Sequence, residues 1–326
     1  MDNKMKAWVY HDYGGPEQLQ LGDVPTPVPK DDEVLIRVRS CALNDWDNEL
    51  LRGDFINRLL NGLFRPKRMP ILGSDIAGVV ETAGAHVTRW KVGDEVYGDL
   101  SSNGFGGFAE YVCAPEEALE RKPAKMSFKE AAAIPQAGML AYQGLFDVGQ
   151  LRPEHSLLIN GAGGGVGSLG IHLARNAGIE RATGVDSTEK LAFMKSLGFD
   201  EVIDYTQKDF ATAGQQYDLI LDCKTSRMPR AHASALKPGG TYCTIGGSVP
   251  KMLVQLVSSQ PIRALTGKRL RLVALNPNKD LEAFNDLFES GKLTVSIDGD
   301  FGFDDIPDLF KKFRSGAYKG KLVAGY

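Results

Sequence analysis

A glycine run, Leu157-Leu158-Ile159-Asn160-Gly161-Ala162-Gly163-Gly164-Gly165-Val166-Gly167, limits what this chain can fold into more than any other feature. Ser156 to Asn160 has strand character. After the run, Val166, Leu169, Leu173, Ala174 and Ala177 mark one face of a helix. A strand that turns into a helix through residues lacking side chains is the setting a dinucleotide-binding loop requires. The strict G-x-G-x-x-G spacing fails, because the sixth position counted from Gly161 is Val166. The spacing that fits is Gly161, Gly164 and Gly167, with Gly165 and Val166 between. The physics is unchanged: bare backbone can reach a pyrophosphate, and the helix start offers unbonded N–H groups and a positive dipole end. A ligand-free glycine connector is the plain alternative. The ordered strand, loop and helix, followed by more such units, weigh against it.

The second marker is Asp186, which ends the next strand about twenty residues beyond Gly167, where an acid that binds the adenosine ribose is expected. Such an acid accepts hydrogen bonds from both ribose hydroxyls and repels a 2′-phosphate. At an effective dielectric near 20, two like charges 4 Å apart cost on the order of 4 kcal/mol. Lys190, one turn later, offsets part of that repulsion. The expected cofactor is therefore NAD(P)H, leaning to NADH.

Strand and helix patterns alternate around this loop. Strands are expected at Arg181 to Asp186, Glu201 to Ile203, Tyr217 to Asp222, Gly240 to Ile245 and Arg269 to Leu275. Helices are expected at Phe128 to Leu145, Thr188 to Leu197 and Pro229 to Leu236. That order implies a parallel sheet with helices on both faces. The first third differs: short strands such as Glu33 to Arg39, Gly78 to Glu81 and Phe108 to Val112 lie between Gly and Pro turns, as in a sandwich or small barrel. A tail from about Asn278 holds a helix at Leu281 to Ser290, a short second helix and a terminal strand at Lys321 to Ala324. It is too short to fold alone and is expected to pack on the first third.

Composition excludes several classes. The net charge is −3, which argues against a nucleic-acid-coating or polybasic membrane-binding chain. No run approaches the roughly 18 apolar residues a spanning helix needs, and Met1 to Tyr10 shows no secretory signal. Cys41, Cys113, Cys223 and Cys243 form no Cys-x-x-Cys pair, so neither a Cys-rich structural zinc site nor a disulfide framework is expected. The expectation is a cytoplasmic protein with no nucleic-acid or membrane partner.

With these residues placed, the chain resembles the medium-chain dehydrogenase/reductase superfamily, and within it the zinc-independent quinone oxidoreductase-like branch. The resemblance runs along the whole chain. It rests on Gly14-Gly15-Pro16-Glu17, Asn44 to Asp47, Leu72 to Gly78, Gly93 to Gly98, Phe108 to Val112, the glycine loop, Leu236 to Gly240 and Gly320-Lys321-Leu322-Val323. It implies an α/β protein: a GroES-like β-barrel catalytic domain (1–123 and 278–326) and an inserted Rossmann domain, a doubly wound parallel sheet (124–277), with the active site in the cleft. It also implies that Lys321 contacts the pyrophosphate, that Gly246 approaches the nicotinamide and that Tyr205 faces the adenosine. A homodimer follows from the same resemblance, pairing through the edge strand Arg269 to Leu275.

Zinc members of the superfamily hold catalytic metal with a Cys, a His beside a Glu, and a second Cys or an acid. The matching positions here carry Asn44, Ser74 beside Asp75, and the Ala137-Gly138 region. Amide and hydroxyl groups are poor zinc ligands, so no metal is expected. Without a Lewis acid, alcohol oxidation is disfavoured and hydride transfer to a quinone or a polarised C=C bond is easier. Asn44 and Asp47 match an Asn-x-x-Asp pair that lies near the nicotinamide in zinc-free relatives. They are the candidate catalytic residues, with helix capping as the alternative role. Trp46 is either an apolar pocket wall or core. Arg58 to Arg68 reads as an extended basic loop, either a lip that attracts anionic substrates such as an acyl-CoA or a solvated surface. Two departures stand out: Leu140 where a Thr is usual, and Cys223-Lys224-Thr225 where Val-Gly is usual. The expected activity is reduction of a small electrophile, a quinone or α,β-unsaturated carbonyl compound. An enoyl-thioester reductase and a non-catalytic nucleotide-binding redox sensor or structural partner stand as alternatives.

Overall fold

The computed structural model describes residues 4–247 and 249–326, so the first three residues of the segment read for a signal lie outside it. The chain forms two compact units. One is the chain through Gln136 together with Pro277–Glu289 and Ile297–Tyr326; the other is Ala137–Asn276 with Ser290–Ser296. The segment 124–136 stays with the first unit, because the helix Phe128–Ala133 lays its buried Ala131, Ala132 and Ala133 on strands Glu33–Ala42 and Asp75–Ala83.

In the second unit six parallel strands stand side by side in the order Glu201–Asp204, Arg181–Asp186, Ser156–Asn160, Tyr217–Asp222, Leu236–Thr244 and Arg269–Leu272. Leu157, Leu158, Ile159, Leu219, Ile220 and Leu221 are all fully buried, as expected for central parallel strands covered on both faces. Chain direction through the sheet reverses between Ser156–Asn160 and Tyr217–Asp222. In doubly wound sheets, ligands bind outside the carboxyl ends of the strands at such a switch point. The segments that leave those ends are the glycine loop and Cys223-Lys224-Thr225.

In the first unit the strand Glu33–Ala42 is the hub. One edge pairs along its length with Asp75–Ala83; the other pairs with Tyr111–Pro115 near its start and with Val323–Gly325 near its end. Asp75–Ala83 continues to Glu95–Asp99 and Glu120–Arg121. A separate ribbon, Lys4–Val9 with Gln20–Pro25, joins through the bridges Ala7 to Ala109 and Val9 to Ile71. The tail returns to this unit: Ile306, Leu309, Phe310 and Leu322 lie in the same core as Ile36, Ile76 and Phe108.

Three local expectations change. The run Phe128 to Leu145 is not one helix but Phe128–Ala133, Pro135–Tyr142 and a wider turn over Gln143–Val148, because Pro135 lacks the N–H that would continue the first. Arg58 to Arg68 is not an extended loop: a helix spans Phe55–Asn61, capped by Asp54, which accepts from the Asn57 N–H, and ended at Gly62. A long helix, Val249–Thr266, also appears where none was expected.

Candidate active site

The glycine loop is held from beneath. The N–H groups of Gly161 and Ala162 both donate to the carbonyl of Val185 on the neighbouring strand. Gly161 has φ +85°, a left-handed backbone that suits glycine. A Cβ on Gly167 would sit 2.4 Å from the Cα of Ala162, so the helix Gly165–Asn176 can lie this close to the loop only without one. The first turn of that helix, which includes Gly165, Val166 and Gly167, presents N–H groups with no carbonyl a turn earlier to accept them. This is an anion cradle of the right form for a pyrophosphate.

Asp186 stands beside it, almost buried. Its carboxylate accepts from the N–H of Gly163 at 2.9 Å and of Ser187 at 2.9 Å, and lies 3.4 Å from the Lys190 ammonium. The acid is thus fixed at its strand end by the loop itself, and Lys190 is its counter-charge. The Tyr205 N–H donates to the carbonyl of Asp186, which places an exposed phenol ring at the same strand end. Gly161, Gly164, Gly165, Val166, Gly167, Asp186, Lys190 and Tyr205 therefore gather around one edge of the sheet. Gly246 accepts from the Thr225 N–H at 3.0 Å, so the atypical Cys223-Lys224-Thr225 segment is bound to the loop that follows the next strand.

Behind that edge lies a buried polar cluster that the sequence reading missed. Asp222 accepts from the Asn160 amide at 2.7 Å, from the Lys224 N–H at 2.8 Å and from the Tyr242 hydroxyl. The Tyr242 ring stacks on His232, with centroids 4.1 Å apart, and His232 bonds Gln255 at 3.0 Å. Burial holds the His232 pKa below its usual value. The one visible signal was an acid at the end of a strand facing an Asn at the end of its neighbour.

The first unit holds the other candidate residues. Asn44 starts the helix Asp45–Arg52, and Asp47 reaches back to accept its N–H at 2.9 Å while taking the Gly73 N–H at 2.8 Å. The Asn44 side chain works in both directions: Nδ2 donates to Ser74 Oγ at 3.1 Å, and Oδ1 accepts from Lys321 Nζ at 2.5 Å. Lys321 is only 5% exposed and also lies 3.5 Å from Asp75, whose two oxygens share the Gln136 N–H at 3.2 Å. Asn44, Asp47, Ser74, Asp75 and Lys321 thus form one buried cluster, with Lys321 brought from 277 residues away. The Lys321 ammonium also donates to the Leu43 carbonyl at 3.3 Å. Burial pushes the Asp47 carboxyl up to about 7 and the Asp75 carboxyl up to about 8, with Lys321 opposing the rise at both. Asp99, buried close by, is raised by the same cause. Among the described residues, Asp99 Oδ2, Ser101 Oγ and Gln136 Nε2 are buried without a well-formed bond. Trp46 is partly buried, edge-on to Phe105 at 5.5 Å, and belongs to the core.

The chain is similar to known proteins along its length. Residues 30–124 match the alcohol dehydrogenase GroES-like domain, and residues 197–323 match a family described as zinc-binding dehydrogenase. The chain is 36% identical to 2-methylene-furan-3-one reductase of Solanum lycopersicum, across 98% of this chain and 79% of that protein. It is 34% identical to the chloroplastic NADPH-dependent alkenal/one oxidoreductase of Arabidopsis thaliana, with the same coverage. Among solved structures, the quinone oxidoreductase from Coxiella burnetii superimposes with a TM-score of 0.89 at 28% identity over 99% of both chains. The zinc in the second family description does not suit the residues present. Asn44 and Asp75 hold an ammonium that repels a dication, and the Ser74 hydroxyl is bonded to the Asn44 amide.

Proposed function

This chain belongs to the medium-chain dehydrogenase/reductase superfamily, in its quinone oxidoreductase-like branch, and we propose that it is a zinc-independent, NAD(P)H-dependent reductase of quinones or α,β-unsaturated carbonyl compounds. The observation that carries the reading is the buried Asn44–Lys321–Asp75 cluster of the first unit, in which Asn44 and the Ser74–Asp75 pair stand where the resemblance puts zinc ligands; the second unit carries the pyrophosphate cradle within itself. The glycine loop and the helix start Gly165–Gly167 would hold the pyrophosphate, and Asp186 the adenosine ribose. When bound, the nicotinamide supplies hydride.

The chain's own residues supply orientation and polarisation. Lys321 and Ser74 fix the Asn44 amide plane. The amide nitrogen has two hydrogens and faces two acceptors, Ser74 Oγ and the Asp75 carboxyl, so a substrate carbonyl would bond it by displacing one of them. Asp47 anchors the backbone N–H from which Asn44 projects, and is thus a positioning residue. The Lys321 ammonium, held at Asn44 Oδ1, polarises the amide and strengthens its N–H as a donor. The proton that completes the reduction comes from water.

The preferred cofactor in this reading is NADH. The Asp186 carboxylate disfavours a 2′-phosphate, while Lys190 narrows the margin. The relative described as NADPH-dependent stands against that preference. Two copies are proposed to pair through the strand Arg269–Leu272, which ends the sheet with Leu272 exposed, next to the uncovered Leu253 and Val257 of the helix Val249–Thr266.

The test is oxidation of NADH and NADPH measured against a panel of quinones, enones and enoyl thioesters. Turnover with a quinone or enone is expected. Binding of either dinucleotide with no turnover across the panel would leave the chain a nucleotide-binding protein without this chemistry.

A further inference from the structure

The helix Phe55–Asn61 is built inside out. Its polar residues Asn57 and Asn61 face inward and are buried. Asn61 donates to the Tyr10 hydroxyl at 2.6 Å and accepts from the N–H groups of Arg68 at 3.1 Å and Met69 at 2.8 Å, while Asn57 donates to Asp54 at 2.8 Å. These bonds fold residues 54–69 into a fixed hairpin. Its apolar residues turn outward: Phe55, Ile56, Leu59, Leu60, Leu63 and Phe64 are all exposed, Phe55 by 71% and Phe64 by 84%. A core-seeking helix buries its apolar face and wets its polar one, so this orientation serves something outside the unit.

The charge on the hairpin says what. The whole chain carries −3, yet residues 53–70 hold Arg58, Arg65, Lys67 and Arg68 against one acid, Asp54. Arg65 shares its charge with Asp12 at 3.2 Å. The Arg58 guanidinium lies 4.5 Å from the Tyr13 ring centroid and donates to the Gly53 carbonyl, and Arg68 donates to the Leu60 carbonyl; neither bond cancels a charge. Outward aromatic and aliphatic side chains beside a cationic rim match the boundary of an anionic bilayer, apolar inside and negative at the surface. A second copy is a poorer fit, since two-fold pairing would set the same cations against themselves. No helix among the described residues is long and apolar enough to cross a membrane, so the contact would be at the surface.

We propose that the hairpin 54–69 docks this protein on anionic lipid surfaces, with Phe55, Leu59 and Phe64 inserting at the headgroup boundary. This revises the sequence expectation of no membrane partner.

The test is flotation of the full chain with vesicles of phosphatidylcholine alone and with vesicles containing about 30% phosphatidylserine. The wild type is expected to float with the anionic vesicles only, and less so as salt rises. Phe64→Glu should reduce the bound fraction about tenfold and Lys67→Glu by a similar factor. Both variants change exposed side chains, and a melting temperature equal to wild type shows that the fold is kept. Wild-type protein left unbound by both vesicle types would overturn the proposal. So would a Phe64→Glu variant that binds as the wild type does, or one whose only change is a smaller mass in light scattering, which would mark a face between copies. Flotation reads binding alone, so its outcome is separate from that of the reductase assay.

Discussion

Each unit buries a polar cluster, and the two are built on opposite terms. In the second unit the Asn160–Asp222–Tyr242–His232–Gln255 chain is closed. Its carboxylate has three donors, and none of its members is among the buried atoms without a partner. In the first unit Asp47, Asp75 and Asp99 are buried with one ammonium, Lys321, and among the described residues Asp99 Oδ2, Ser101 Oγ and Gln136 Nε2 lack a well-formed bond, although Ser101 and Gln136 both stand close enough to pull the Asp99 carboxyl down. A closed network fixes a shape, whereas an open one with acids raised toward neutrality can bind and polarise something that arrives. On the proposed reading, structural work falls to one cluster and chemistry to the other.

Removing Lys321 should separate them most sharply. Lys321→Met takes the donor from Asn44 Oδ1 and should remove most of the turnover; because Asp75 already keeps its proton to about 8, no full charge is stranded, and the loss in denaturant unfolding at neutral pH should be about 1–3 kcal/mol. A loss below about 1 kcal/mol would mean that the ammonium is not the keystone of the cluster.

The pH dependence comes next. Folded Asp47 and Asp75 hold their protons to about 7 and about 8, against 3.8 for the free side chain. The native state therefore binds more protons than the unfolded state across that interval. The contribution is full below about 4 and is lost as pH rises through the folded values. Melting temperature should fall from pH 5 to pH 8, and Asp75→Asn should flatten the fall. A steeper fall in the variant would reverse the assigned sign.

Cofactor choice is smaller in scale. Asp186→Ser should shift the ratio of NADH to NADPH efficiency by about tenfold toward NADPH, read from kcat/KM with each. An unchanged ratio would take the ribose role away from Asp186. Smallest is Tyr242→Phe, which removes one bond to Asp222 and should cost about 1 kcal/mol with KM for the cofactor nearly unchanged. A large loss of turnover there would move chemistry into the second unit and erase the contrast.

Local pattern made the second unit easy to read. Ser156–Asn160, Arg181–Asp186 and Tyr217–Asp222 fall at the residues expected, because central parallel strands are short apolar runs bounded by Gly and Asp. The glycine loop and Asp186 were legible for the same reason. Lys321 was picked out only by resemblance, and as a pyrophosphate contact; its bond to Asn44 is a matter of tertiary folding that no spacing encodes. The hairpin at 54–69 was misread because its apolar residues follow helical spacing while facing solvent, and the eye takes basic, Pro-containing sequence for loop. The Asp222 cluster escaped notice because Tyr242 and His232 look like ordinary core until the sheet brings them together.

The most direct measurement is NADH oxidation by a quinone or enone after exhaustive dialysis of the protein against a metal chelator. If Asn44 and Lys321 do the polarising, turnover survives undiminished and added zinc leaves it unchanged. Activity that disappears on dialysis and returns with zinc would contradict the account.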